Sequence, residues 1–200
     1  MLALLVLVER FLKDPYDGKV LKHLALSLGS SRAGRVLCAA QRAWWRRRGV
    51  VPAVTIWRVD DLRAARRGSA PEALVEWAKV NDVDLEQTRI LLEQIEALGC
   101  AELAQLIVLH DLVHVVLGAD TGQGGELRVI GAQIGAGSPD MLAWGWLALM
   151  PLLVERSPSR ARALRAFLGG VKEGLQRPEL ARLAQKDWRQ ATIAALGGWG

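Results

Sequence analysis

Apolar positions recur at helical spacing in one segment after another, and helix-breaking residues separate the segments. Residues 2–13 have helical character and stop at Asp14-Pro15, where proline removes a backbone donor. Residues 19–28 form a second run that ends at Gly29-Ser30-Ser31. Residues 34–48 set Val36, Leu37, Ala40, Ala43, Trp44 and Trp45 against Arg42, Arg46, Arg47 and Arg48. Residues 71–80 open with Pro71 in the first turn, and the next run takes Asp84 as its cap. That run places Ile90, Leu91, Ile95 and Leu98 at helical spacing. Only residues 50–56 look strand-like; Pro52 interrupts them and no partner strand is evident, so an extended connector is predicted. Residues 141–154, MLAWGWLALMPLLV, are apolar throughout but shorter than the ~20 residues a membrane span needs. A buried helix bent at Pro151 is predicted there, followed by two closing helices over 159–176 and 178–196. The pattern predicts a single all-α domain of about eight helices spanning residues 1–200, with no internal repeat.

The remaining segment, residues 103–128, breaks the pattern. LAQLIVLHDLVHVVLGADTGQGGELR is apolar nearly all round, the signature of a helix buried on every side. Into it the sequence sets His110, Asp111 and His114. Burying such groups unpaired costs several kcal/mol each, so they must find partners or hold a metal. His110 and His114 are spaced i, i+4 and share a face, which Asp111 flanks. The helix is predicted to end at Gly118, and the glycine-rich loop 119–125 can reverse tightly. Glu126 then opens the next helical run, to Ile134, and folds back beside His114. Two imidazoles and two carboxylates thus converge as candidate metal ligands: His110, Asp111, His114 and Glu126. Such a mixed nitrogen and oxygen set suits a divalent metal, and ligand type alone does not separate Zn²⁺ from Fe²⁺, Mn²⁺ or Co²⁺. If one carboxylate stays off the metal, a position remains open for water or substrate. Asp111, beside His110, is then the candidate catalytic, proton-transferring group.

The spacing His-Asp-x-x-His, eleven further residues, then Glu resembles the signature of the Coq4 family of ubiquinone-biosynthesis proteins at every fixed position. Lesser likenesses are the opening run before Asp14-Pro15, the stretch Arg66 to Glu86 upstream of the histidines, and the Trp-centred Lys186-Asp187-Trp188 near the end. The resemblance implies zinc, a polyprenylated quinone precursor as substrate, and removal of the ring carboxylate at C1 with oxidation of that carbon. It also implies apolar helices around the isoprenoid tail, a homodimer, and contact with other ubiquinone-biosynthesis proteins. A second reading within the same family is a non-catalytic lipid-binding scaffold with a structural metal. A third is a metallohydrolase, because His-Asp-x-x-His is similar to His-Glu-x-x-His, although Asp111 is one methylene shorter than that glutamate.

Composition adds a surface to this picture. The chain is 51% apolar with a mean hydropathy of 0.16, which suggests an apolar cavity or a face that meets lipid. The formal charge of +5 is uneven: ten arginines lie between Arg32 and Arg67, with only Asp60 and Asp61 against them. Such a block suits anionic lipid or nucleic acid. Trp44 and Trp45 beside Arg46, Arg47 and Arg48 have the composition of an interfacial contact, so an anionic membrane surface is the expected partner and nucleic acid is not. Cys38 and Cys100 form no CxxC pair and fit a reducing cytoplasm. The N-terminus has no basic start and no small-residue cleavage site, and it carries Glu9, Asp14 and Asp17. No cleaved targeting peptide is expected, and the location predicted is cytoplasmic, peripheral to the inner membrane.

Overall fold

Among the described residues, four α-helices start at a side-chain acceptor, supplied by Ser31, Ser69, Asp84 and Ser159. The computed structural model describes residues 18–52, 56–138, 140, 143, 147, 151, 154–155, 157–192 and 194–196. The opening run at 2–13 and most of the apolar run 141–154 lie outside the described residues. Helix α1 covers Gly18–Ser30, and α2, Arg32–Arg47, begins where the Ser31 hydroxyl accepts the Gly34 N–H at 3.0 Å. A short turn, α3, covers Val59–Arg63. Helix α4, Ala70–Val80, is capped by Ser69 with Pro71 in its first turn, and α5, Leu85–Ala97, is capped by Asp84. Helices α6, Ala101–Leu117, and α7, Gln123–Gly135, flank the glycine-rich loop. Helix α8, Arg160–Gln176, starts at the Ser159 cap. The fold is all-α and a single domain; among the described residues the only β pairing is an isolated bridge between Ser69 and Thr192.

Helix α6 is the axis of the core. Leu103, Leu106, Leu109, Leu112, Val113 and Val116 are all buried, so no side of it faces water for any length. Leu92 and Ile95 of α5, Leu74 and Trp77 of α4, and Cys38 and Trp45 of α2 belong to the same buried cluster. Truncating any of these leucines to alanine costs about 2–5 kcal/mol, as cavities in a dense interior do. The helix ends where Gly118 turns left-handed, at φ 58°, a conformation that penalises residues with a Cβ.

Helices α7 and α8 meet backbone to backbone. A β-carbon on Gly131 would lie 2.3 Å from the Phe167 carbonyl, and one on Gly135 would lie 2.2 Å from that of Val171. Gly170 and Gly174 press in return on the carbonyls of Arg128 and Ala132. Both helices therefore carry glycine four residues apart at the crossing. The Arg128 guanidinium closes the pair with two bonds to Glu173, at 2.8 and 2.9 Å.

The closing segment departs from the helix predicted over 178–196. It is a series of tight turns instead: Pro178–Gln185, Trp188–Gln190 and Ala194–Leu196. Leu180, Leu183, Trp188 and Leu196 are all fully buried. A straight α-helix would not send these four to one face, whereas bends at Lys186-Asp187 and Ala191 do. The segment is tied down by the Ala70 N–H, which donates to the Ala191 carbonyl at 2.9 Å. Helix α7 also begins three residues earlier than predicted, at Gln123, which places Glu126 in its first turn.

Candidate metal centre

Helical periodicity turns His110 and His114 onto one side of α6, and the first turn of α7 brings Glu126 up to them. The two Nε2 atoms are 3.2 Å apart. Glu126 Oε2 lies 3.0 Å from His110 Nε2, and Oε1 lies 3.3 Å from His114 Nε2. One ligand-type atom from each residue falls in a group spanning no more than 4.8 Å, so these three could hold one metal ion.

The other ring nitrogens are already engaged. His110 Nδ1 faces Gln133 Oε1 at 3.3 Å, while the Gln133 amide donates to Asp140 Oδ2 at 2.8 Å. The carboxylate accepts the amide hydrogens and so turns the amide oxygen toward the imidazole. His114 Nδ1 faces the Ala119 carbonyl at 3.4 Å, which also accepts the Trp77 indole N–H at 2.6 Å. Each imidazole thus carries its proton at Nδ1 and presents the Nε2 lone pair inward. Two lone pairs facing each other at 3.2 Å repel unless a cation lies between them.

The spacing fits a metal. Donor atoms bound at ~2.1 Å stand ~3.0 Å apart at octahedral angles and ~3.4 Å apart at tetrahedral ones, which brackets the gap between the two Nε2 atoms and the nearest approach of each to the carboxylate, made by its two different oxygens. Without a metal, a proton takes that place. Burial alone would push His110 down, but the Glu126 carboxylate, helped by Asp111 and Asp140, lifts it from 6.5 to about 9. Burial would raise Glu126, yet hydrogen bonds from both histidines outweigh it and hold the carboxyl at about 2. The site is open on one side: the His114 side chain is 1% exposed, those of His110 and Glu126 24% and 20%.

Asp111 is not among the three converging residues; it is half-buried and acts on His110 through its charge. Gln133, Asp140, Trp77 and Ala119 were not anticipated. Gln133 offered one signal, a polar residue two helical turns beyond Glu126 within the apolar stretch from Val129 to Ile134. Trp77 offered none, because only the packing of α4 on α6 brings it within 5.4 Å of the His114 ring.

The expected membrane contact is corrected at Trp45, which is 3% exposed and packs in the core because α2 turns that face inward. Trp44 is half-buried under the Arg48 guanidinium, 5.4 Å above its ring, while Arg46, Arg47 and Arg48 stay exposed. Arg42 reaches instead to Glu102 of α6, at 2.5 Å. Cys38 and Cys100, distant in sequence, come into contact as free buried thiols; burial and that contact push Cys38 up to about 12.

Fold and site together define an all-α protein with a two-histidine, one-carboxylate candidate metal centre. Comparison with family models, with curated proteins and with solved structures finds no match to the chain.

Proposed function

We propose that this protein is a Coq4-like metal-dependent enzyme of ubiquinone synthesis, with zinc as its metal. It removes the C1 carboxylate from a polyprenylated aromatic precursor at a membrane surface. The observation that carries the reading is the convergence of His110, His114 and Glu126 on one partly exposed point. Three protein ligands leave a coordination position free, as catalytic sites do and closed structural sites do not.

The metal, when bound, would act as a Lewis acid toward neighbouring carboxylate and phenol oxygens of the ring. In the reaction the carboxylate leaves as carbon dioxide and the carbon gains a hydroxyl from water. One proton and two electrons are released, and dioxygen is the acceptor the reading requires. Gln133 and Asp140 fix the orientation of His110, and Ala119 with Trp77 fixes that of His114. On this reading Asp111, half-buried beside His110 on α6, is the group that moves a proton. Among the described residues no helix is long and apolar enough to cross a membrane, consistent with a peripheral approach to the precursor.

The test is Asp111→Asn, which keeps size and hydrogen bonding but removes charge and the exchangeable proton. Cells relying on it should accumulate a prenylated precursor that still bears the C1 carboxylate, read by mass spectrometry, while metal content is unchanged. Normal ubiquinone from a metal-loaded variant would overturn the catalytic role and favour a lipid-binding scaffold.

A further inference from the structure

The outward face of α8 carries Leu164, Leu168 and Leu175, exposed by 46, 54 and 69%. At 100° per residue the three lie within about 40° of one another around the helix, so they form one ridge. Val36, Val51 and Val80 stand far apart along the chain, and Ile90 and Leu98 of α5 and its cap are each less exposed than any of the three leucines, so these need no explanation. Arg165 and Lys172, both exposed, run along one border of the ridge. The single acidic residue of α8, Glu173, lies on the far side and is held by Arg128, while Glu155 is held by Arg160. The ridge therefore has a cationic border with no acidic side chain of α8 beside it.

We propose that this face of α8 is the surface by which the protein lies on an anionic lipid membrane. The leucines enter the acyl boundary, and Arg165 and Lys172 meet headgroup phosphates. A second copy of the chain fits poorly. An antiparallel crossing centred on Leu168 sets Arg165 of one copy against Lys172 of the other, and a parallel crossing sets each against itself. A partner helix would seek a groove, whereas α8 offers a single convex ridge, rigidly backed by its glycine contacts with α7. A soft, anionic, apolar-cored surface suits both shape and charge. The inference rests on the proposed function only for a reason to approach lipid; the face itself is independent of the metal centre.

Flotation of the full chain with vesicles at low salt tests it. Wild type should rise with phosphatidylcholine–phosphatidylglycerol vesicles and not with phosphatidylcholine alone, and salt should release it. Each basic residue at the surface changes partitioning about fivefold, so Arg165→Glu with Lys172→Glu should lower it by about 30-fold or more. Leu164→Ser, Leu168→Ser and Leu175→Ser together should abolish flotation, with circular dichroism unchanged. Arg46→Glu, Arg47→Glu and Arg48→Glu on α2 should matter far less, and wild type stripped of metal by a chelator should float as before. Undiminished flotation of the α8 variants would overturn the proposal. So would a wild type that ignores both vesicles and elutes as a dimer which the serine variant splits. The Asp111→Asn assay can fail without touching these results, and the reverse holds as well.

Discussion

Gln133 places its side-chain oxygen 3.3 Å from His110 Nδ1, the ring nitrogen that faces away from Glu126. A buried glutamine in α7 therefore fixes the tautomer of a histidine in α6, and Asp140 in turn holds the glutamine. Gln133→Leu keeps the volume but frees the imidazole and removes the amide that donates to Asp140 Oδ2. Metal affinity should fall about 10–100-fold, the usual effect of losing such a partner. Competition against a chromogenic chelator reads it; unchanged affinity would mean that His110 needs no orientation from α7.

Removing a ligand should remove the metal. His114→Ala and Glu126→Ala proteins, purified alongside wild type, should fall from about one divalent ion per chain to none by elemental analysis. His114 is almost fully buried, so its variant also loses packing against Trp77 and should be a few kcal/mol less stable. Glu126→Gln removes charge at nearly constant size and separates metal loss from misfolding. Full metal content in the folded glutamine variant would rule out Glu126 as a ligand.

Metal and proton compete for the same point. In the metal-free protein His110 is raised to about 9 and Glu126 lowered to about 2, so at pH 7 they form an imidazolium–carboxylate pair. The raised histidine stabilises the fold fully below its ordinary 6.5, and that contribution disappears as pH rises through about 9. The lowered carboxyl contributes above its ordinary 4.5 and stops doing so as pH falls through about 2. The metal requires neutral His110, so binding at pH 7 should release about one proton. Affinity should climb roughly tenfold per pH unit toward pH 9. Titration calorimetry in two buffers of different ionisation enthalpy measures the proton directly. Identical heats in both would contradict the pairing.

The contact between α7 and α8 makes a prediction independent of any metal. Alanine at Gly131 would meet the Phe167 carbonyl at 2.3 Å and the Val171 nitrogen at 2.9 Å, both backbone atoms that cannot step aside. Gly131→Ala should cost about 1–3 kcal/mol in chemical denaturation despite alanine's better helix propensity. At Gly169, on the same helix pair, a β-carbon meets nothing within 4 Å. Gly169→Ala should gain up to about 1 kcal/mol. Equal effects at the two positions would mean that the helices are not packed as described.

Local sequence dictates the all-α class and most helix boundaries between residues 18 and 138. Those depend on neighbours along the chain: hydroxyl and carboxylate caps at Ser31, Ser69 and Asp84, proline at 71, and a left-handed glycine at 118. The same local logic placed His110 and His114 on one face, because four residues are about one helical turn. Tertiary structure decided what depends on which helix meets which. The segment 178–196 abandoned its helix because burying Leu180, Leu183, Trp188 and Leu196 together outweighed regular hydrogen bonding. Trp45 went into the core, where composition suggested a surface, because packing against α6 selects the face of α2 and a list of residues does not. Gln133, Asp140 and Trp77 reached the site from elements far apart in sequence, and no spacing along the chain encodes a contact made across two helices.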